Sequence, residues 1–229
     1  MQIFSDTFGW VQLVLFTGLL LLLTRPMGVY LFQALDGTRK TFLDSVLRPV
    51  ERTLYFLVGV NEQKEQDWKQ YTVSMLAFSL VGVLFTYTIL RLQHLLPLNP
   101  QGLQPFSDHL AFVTAVSFMT NTNWQSYGGE STASYLSQMV GLTFHNFTSS
   151  AVGIAIAAAL VRGIARQSAK TIGNFWVDLV RVNLYVLLPL CIVYAVFLVS
   201  QGMIQNFKPY TVARVPNPYT IEGAKRDDN

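Results

Sequence analysis

A chain of 229 residues that is 51% apolar and 13% charged, with a mean hydropathy of +0.35, is too greasy for an ordinary soluble domain, in which charged residues run near ~25%. The formal charge of +3 is small, and no basic cluster points to nucleic acid. Cys191 is the single cysteine, which excludes an intrachain disulfide, and no Cys, His or carboxylate pair has zinc-ligand spacing.

The first apolar stretch covers residues 3–23. It carries Asp6, and its first cation, Arg25, comes after the core. A secretory signal has its positive charge first. Residues 1–25 therefore read as a retained transmembrane anchor with its N-terminus outside. Residues 26–71 read as a cytoplasmic loop. Within it Phe42, Val46, Val50 and Leu54 recur every four residues, with Leu43 and Leu47 beside them. Arg48, Glu51 and Arg52 fall elsewhere on the wheel, and Pro49 is placed to kink it. This is the pattern of an amphipathic helix. It fits either the inner leaflet or a partner's cytoplasmic domain.

A spanning helix needs ~20 mainly apolar residues. Residues 72–90, 137–161 and 176–199 meet that length. The run from His109 to Met119 is too short to span and suits a re-entrant or interfacial helix. Ser107 or Asp108 is placed to cap it. After it comes Thr120-Asn121-Thr122-Asn123-Trp124-Gln125, which holds no charge. A short helix, an uncharged polar turn and a spanning helix are the outline of a re-entrant pore loop. Non-helical backbone at membrane depth is tolerated only where it is buried in protein or lines a wet cavity. Such a run can offer oxygens to a desolvated cation. It has no glycine before Gly128, so turning every carbonyl to one side is harder. Thr and Asn side chains, or the Gln125 amide, would then help.

In the third span Ser149, Gly153 and Ala157 repeat at four-residue spacing, as do Ala151, Ala155 and Ala159. Small residues at this spacing predict close helix packing. His145 lies in the same span, where an ionisable group is a functional hypothesis by default; a neutral, hydrogen-bonded packing role is favoured. In the fourth span Cys191 reads as a small buried thiol and Pro189 as a kink. Asp178 and Arg181 stand one turn apart, as an ion pair within the helix would. Arg91 reads as snorkelling to the outer interface. Asp108 and Glu130 could enrich cations, but a helix cap and a solvated acid are favoured.

Orientation follows from Lys and Arg. Residues 24–71 carry Arg25, Arg39, Lys40, Arg48, Arg52, Lys64 and Lys69, and the loop after the third span carries Arg162, Arg166 and Lys170. Nothing between Leu92 and Val161 is Lys or Arg. The two basic loops are thus expected in the cytoplasm, with the polar turn opening outside. The tail places Lys208, Arg214, Lys225 and Arg226 outside, a weaker signal of opposite sign.

Residues 72–161 form one complete unit of span, short helix, polar loop and span, and residues 162–229 begin another. Leu96-Pro97-Leu98-Asn99-Pro100-Gln101, Thr114 to Tyr127, Ser137-Gln138-Met139-Val140-Gly141-Leu142-Thr143, Asn146-Phe147, Gly153-Ile154-Ala155 and Trp176-Val177-Asp178-Leu179 resemble the potassium-binding subunit family of the bacterial Kdp potassium-transporting ATPase (KdpA). The resemblance covers the chain from Trp68 to Tyr210, and its most specific part is Asn121 to Gln125.

That resemblance implies an all-α polytopic membrane protein of the potassium channel and transporter superfamily. Such a protein has four fused repeats of span, pore helix, filter loop and span, and an extra N-terminal span. It implies potassium uptake across the bacterial cytoplasmic (inner) membrane from the external side. The implied partners are a P-type ATPase catalytic subunit (KdpB), accessory subunits (KdpC and KdpF) and membrane lipid. Asn121, Thr122 and Asn123 would hold the potassium ion, with Thr120 beside them and Gln125 as the filter glutamine. Trp124 would wedge behind the filter. Potassium is the only cofactor expected, and no residue is expected to be catalytic. The chain has neither a Gly-rich phosphate loop nor an Asp-Lys-Thr-Gly-Thr run, so ATP hydrolysis falls to a partner. The family's later, glycine-rich filter segments are missing, and Gly223 to Asn229 looks like a truncated or altered end. A non-conducting fragment with an interaction or structural role is therefore the competing expectation. A stand-alone tetrameric channel is disfavoured by the unpaired fourth span.

Overall fold

The computed structural model describes residues 2–36, 41–166, 170–203 and 206–211. Arg39 and Lys40 of the first basic loop, and the polar tail from residue 212 onward, lie outside these residues. The described residues are helical, without strands. Four helices are long and apolar enough to cross a membrane: Phe8–Leu35, Trp68–Leu92, Ser137–Ala165 and Phe175–Ser200.

Helix α1 (Gln2–Leu35) is longer than its apolar core and runs through Pro26. Arg25 thus lies inside a continuous helix rather than after one. A proline removes one backbone donor, which membrane helices tolerate. None of the span's most apolar window is buried by the rest of the chain. The helix docks only near its end, where Tyr30, Leu31 and Ala34 meet Tyr185 and Val186.

Helix α2 (Asp44–Val58) continues through Pro49. The face it buries is not the Phe42 stripe. Glu51 and Tyr55 are buried, whereas Phe42, Val46 and Val50 are exposed. The reason is the buried cation Arg181, whose Nε donates to Glu51 at 2.7 Å. Tyr55 and Tyr185 donate to the same carboxylate at 2.8 and 2.9 Å. A charge is retained in an interior only when paired and hydrogen-bonded, and this one is.

Helices α3 (Trp68–Leu92) and α4 (Asp108–Met119) pack closely together, and α4 stops where the polar loop begins. Ser107 occupies the N-cap position of α4 without a side-chain cap bond. A short helix, α5 (Gly129–Thr132), follows the loop. The third span opens as a π-helical segment, Ser137–Thr143, and continues as α6 (Phe144–Ala165). Its Ala151, Ala155 and Ala159 face is buried, and of the other small face only Ser149 is buried, with Gly153 and Ala157 exposed.

The fourth span runs as α7 (Phe175–Arg181), a second π-helical segment Val182–Leu187, and α8 (Leu188–Ser200). Pro189 marks this break more than a simple kink. It has no N–H to give the Tyr185 carbonyl, and the Tyr30 hydroxyl donates to that carbonyl at 2.5 Å. No residue of α8 is buried, and Cys191 is exposed rather than the buried thiol expected. Apolarity alone does not separate a core position from one on a face with no neighbour in the chain.

The intrahelical Asp178–Arg181 pair does not form. Asp178 accepts from Arg162 of α6 at 2.6 and 2.8 Å, and Arg181 turns to Glu51. Both pairs join separate elements. Arg162 also donates to the Leu35 carbonyl at 3.0 Å, tying the end of α1 to this knot. Tyr71 of α3 reaches Asp178 at 3.0 Å. Nearby, the segment before α3 clamps the segment before α7: Gln66 N–H donates to the Gly173 carbonyl at 2.6 Å, and Ile172 N–H to the Gln66 carbonyl at 3.0 Å.

Candidate functional site

The polar loop is built on the end of α4, and Ser117 holds it. The Ser117 carbonyl accepts from the N–H groups of Thr122 at 2.9 Å and Asn123 at 3.2 Å. Its hydroxyl oxygen accepts from Trp124 N–H at 2.6 Å. Asn121 N–H bonds back to Phe118, and Thr120 N–H to Val116. The loop's amides thus satisfy the orphan carbonyls that a helix end leaves. Asn121 and Asn123 sit at φ 60° and 55°, in the left-handed region. Asparagine is among the few residues that tolerate it. That is how a loop without glycine makes two tight reversals.

Residues 120–125 are all exposed. No described residue donates a hydrogen bond to any of their backbone carbonyls. Their side chains are mostly engaged instead. The Thr120 hydroxyl bonds back to Val116 at 2.9 Å and lies 3.3 Å from the Thr122 hydroxyl. Asn121 Oδ1 accepts from Ser149 and Ser150 at 3.3 Å each. Gln125 donates to the Tyr127 hydroxyl at 3.1 Å. Burial pushes the Tyr127 phenol above its ordinary value, so the ring stays neutral. A row of unpaired carbonyl dipoles therefore stands at the carboxyl end of α4. That end carries about half a negative charge from the helix dipole. The arrangement can coordinate a cation and has no built feature for an anion.

Behind the loop, α3 approaches closely at Gly82. A Cβ there would fall on the Met119 sulfur and 3.1 Å from His145 Cε1. His145 is fully buried. Its Nε2 donates to the Gly82 carbonyl at 3.1 Å, and its Nδ1 lies 3.1 Å from the Thr148 hydroxyl. It is the hydrogen-bonded packing histidine expected. Beyond the loop, Gln93 is fully buried and ties the end of α3 to the segment at Gln104 and to residues 132–137. It donates to Gln104 and Thr132 and accepts from Ser134 and Ser137. Arg91 does not simply snorkel; it bonds the Phe106 carbonyl and pairs with Asp108 at 2.7 Å. Glu130 is exposed.

Two features differ from the sequence reading. Trp124 is 63% exposed and wedges behind nothing among the described residues. Ser117 and the Ser149–Ser150 pair were missed as loop supports. Their signal was compositional only: hydroxyls in apolar helices one loop-length from an Asn run. Among the described residues no cluster of three or more His, Cys, Asp or Glu could hold a metal ion.

Four helices long and apolar enough to cross a membrane, with a shorter apolar helix ended by a neutral turn between them, define a multi-pass membrane protein. The chain belongs to the KdpA family, the potassium-transporting ATPase A subunit, whose profile matches residues 14–224. It is 52% identical over 218 residues to a potassium-transporting ATPase potassium-binding subunit of Bradyrhizobium diazoefficiens, covering 95% of this chain and 37% of that protein. A Koribacter versatilis protein of the same name is 52% identical, covering 93% and 36%. One from Acidobacterium capsulatum is 55% identical, covering 92% and 35%. The chain spans little more than a third of the length of these relatives.

Proposed function

We propose that this chain is the potassium-binding portion of a Kdp-type uptake system, and that residues 120–125 form one arc of its selectivity filter. The reading rests on one observation: among the described residues, none donates to their backbone carbonyls, which stand at the negative end of α4. Potassium exchanges its hydration shell for such neutral dipoles. Asn121, Thr122 and Asn123 supply them first. Thr120 and Gln125 flank the arc, and the fixed side chains hold its shape. The ion enters from the external side of the bacterial inner membrane. A P-type ATPase subunit, KdpB, hydrolyses ATP, and KdpC and KdpF complete the complex. Three further arcs, from other repeats or subunits, close the ring.

The test is potassium uptake by the assembled complex. Gln125→Arg places a fixed cation beside the site in a poorly screened cavity. It is expected to raise the half-saturating potassium concentration at least tenfold, whereas Glu130→Gln leaves it within about twofold. Unchanged half-saturation in Gln125→Arg would place Gln125 outside the ion path.

A further inference from the structure

At the end of the bundle where α3 and α7 begin, a groove of about 800 Å³ opens between them and the end of α2. Its rim carries Lys64 and Lys69, both exposed and without an ion pair among the described residues. Its wall continues along Val58, Val73 and Trp176. The polar-to-apolar order follows the membrane normal, because Val73 and Trp176 belong to helices that span it. Lys69 also lies over the Trp68 ring, 5.6 Å from its centre. Tryptophans at helix starts mark the interfacial belt, so Trp68 and Trp176 set this groove at headgroup depth. Beside it α2 exposes Phe56, Leu57 and Val58, 86%, 71% and 62% accessible.

We infer that this groove binds one anionic phospholipid of the inner leaflet. The phosphate sits between Lys64 and Lys69, and an acyl chain lies along Val73 and Trp176. Charge complementarity selects the lipid. Two unpaired lysines above an apolar wall match an anionic headgroup above a chain, and basic pockets between membrane helices on the cytoplasmic side are where such headgroups bind. The orientation is the one set by the Lys and Arg bias of the loops. The Phe56–Val58 corner, too apolar to face water, enters the same leaflet.

The probe is Trp176 as the sole tryptophan, with Trp10, Trp68 and Trp124 replaced by Phe, in phosphatidylcholine bilayers holding a small fraction of brominated lipid. Brominated phosphatidylglycerol is expected to quench Trp176 more strongly than brominated phosphatidylcholine. Lys64→Gln with Lys69→Gln should weaken the preference roughly 30-fold, about one surface cation's worth for each lysine. Lys64→Arg with Lys69→Arg should retain it, which separates lost charge from lost folding. Lys208→Gln, the same charge change elsewhere, should leave it intact. Equal quenching by the two lipids in the parent chain would overturn the proposal. Loss of the preference on adding inorganic phosphate would also overturn it, by showing a site for a soluble anion. Absence of quenching by either lipid in the assembled complex would show that protein covers the groove, and would overturn it as well.

Discussion

Ser117 bonds the polar loop through both its carbonyl and its hydroxyl, so the side-chain contribution can be removed alone. Ser117→Ala leaves the Trp124 N–H without its partner, a loss of about 0.5–1.5 kcal/mol for a hydrogen bond near the surface. The expected outcome in the assembled complex is a roughly tenfold weaker apparent potassium affinity with normal assembly. Uptake assays across a potassium series check it. Gly82 is constrained by close approach rather than by backbone angle. Gly82→Ala forces Met119 and His145 apart, and overpacking of this kind costs about 1–3 kcal/mol. Met119 is the residue before the loop, so the expected signature is a lower thermal midpoint together with reduced potassium selectivity. A lower midpoint with unchanged selectivity would mean that the loop does not depend on that contact.

At the scale of elements, the Arg162–Asp178 pair joins α6 to α7 and anchors α1. Arg162→Met leaves a buried carboxylate uncompensated, and breaking a buried pair costs about 3–5 kcal/mol. Arg162→Met with Asp178→Leu should recover most of that loss, as measured by thermal unfolding in detergent. The nearby Glu65 clamp adds a pH dependence. The Thr171 hydroxyl above all holds the Glu65 carboxyl below its ordinary value; burial opposes it, and Arg166 adds to the lowering. A lowered carboxylate pKa contributes stability that is present above the ordinary value and lost as pH falls through the lowered one. Glu65 is partly solvated, so the contribution is about 0.2–1 kcal/mol. Glu65→Gln should flatten the acid limb of the melting profile, lowering stability at neutral pH by that small amount and leaving it nearly unchanged at low pH, where the carboxyl is protonated.

The elements were legible in the sequence because length and hydropathy mark spans, and the halt of the apolar run at Met119 marks α4. The loop was legible from its missing charge and its Asn residues, which also explain how it turns without glycine. Pairing was not legible. Asp178 and Arg181 sit at a spacing that favours a pair within one helix, yet each finds its partner on another element, and only the packing of α2 and α6 decides that. The same applies to Cys191 and Trp124. A sequence shows that a side chain is apolar, but not whether a neighbour is there to cover it. The π-helical segments likewise leave no periodic mark.

Over the whole molecule, the carbonyl-lined loop sits at mid-height of the spans, beside Gly82 and Ser149, while the buried ion pairs and the lysine-rimmed groove gather at one end. Single cysteines at Lys64 and Gly128, in a Cys191→Ala background, should react with impermeant reagents from opposite sides of the membrane. Reaction from one side would break the orientation on which the uptake direction rests. The central claim is that residues 120–125 contact the ion through their backbone. The most direct measurement is an anomalous difference map of the assembled, full-length protein with rubidium in place of potassium. The account expects a rubidium peak in contact with the carbonyl oxygens of Asn121, Thr122 and Asn123. Rubidium peaks elsewhere in the protein, with none beside this loop, would contradict it.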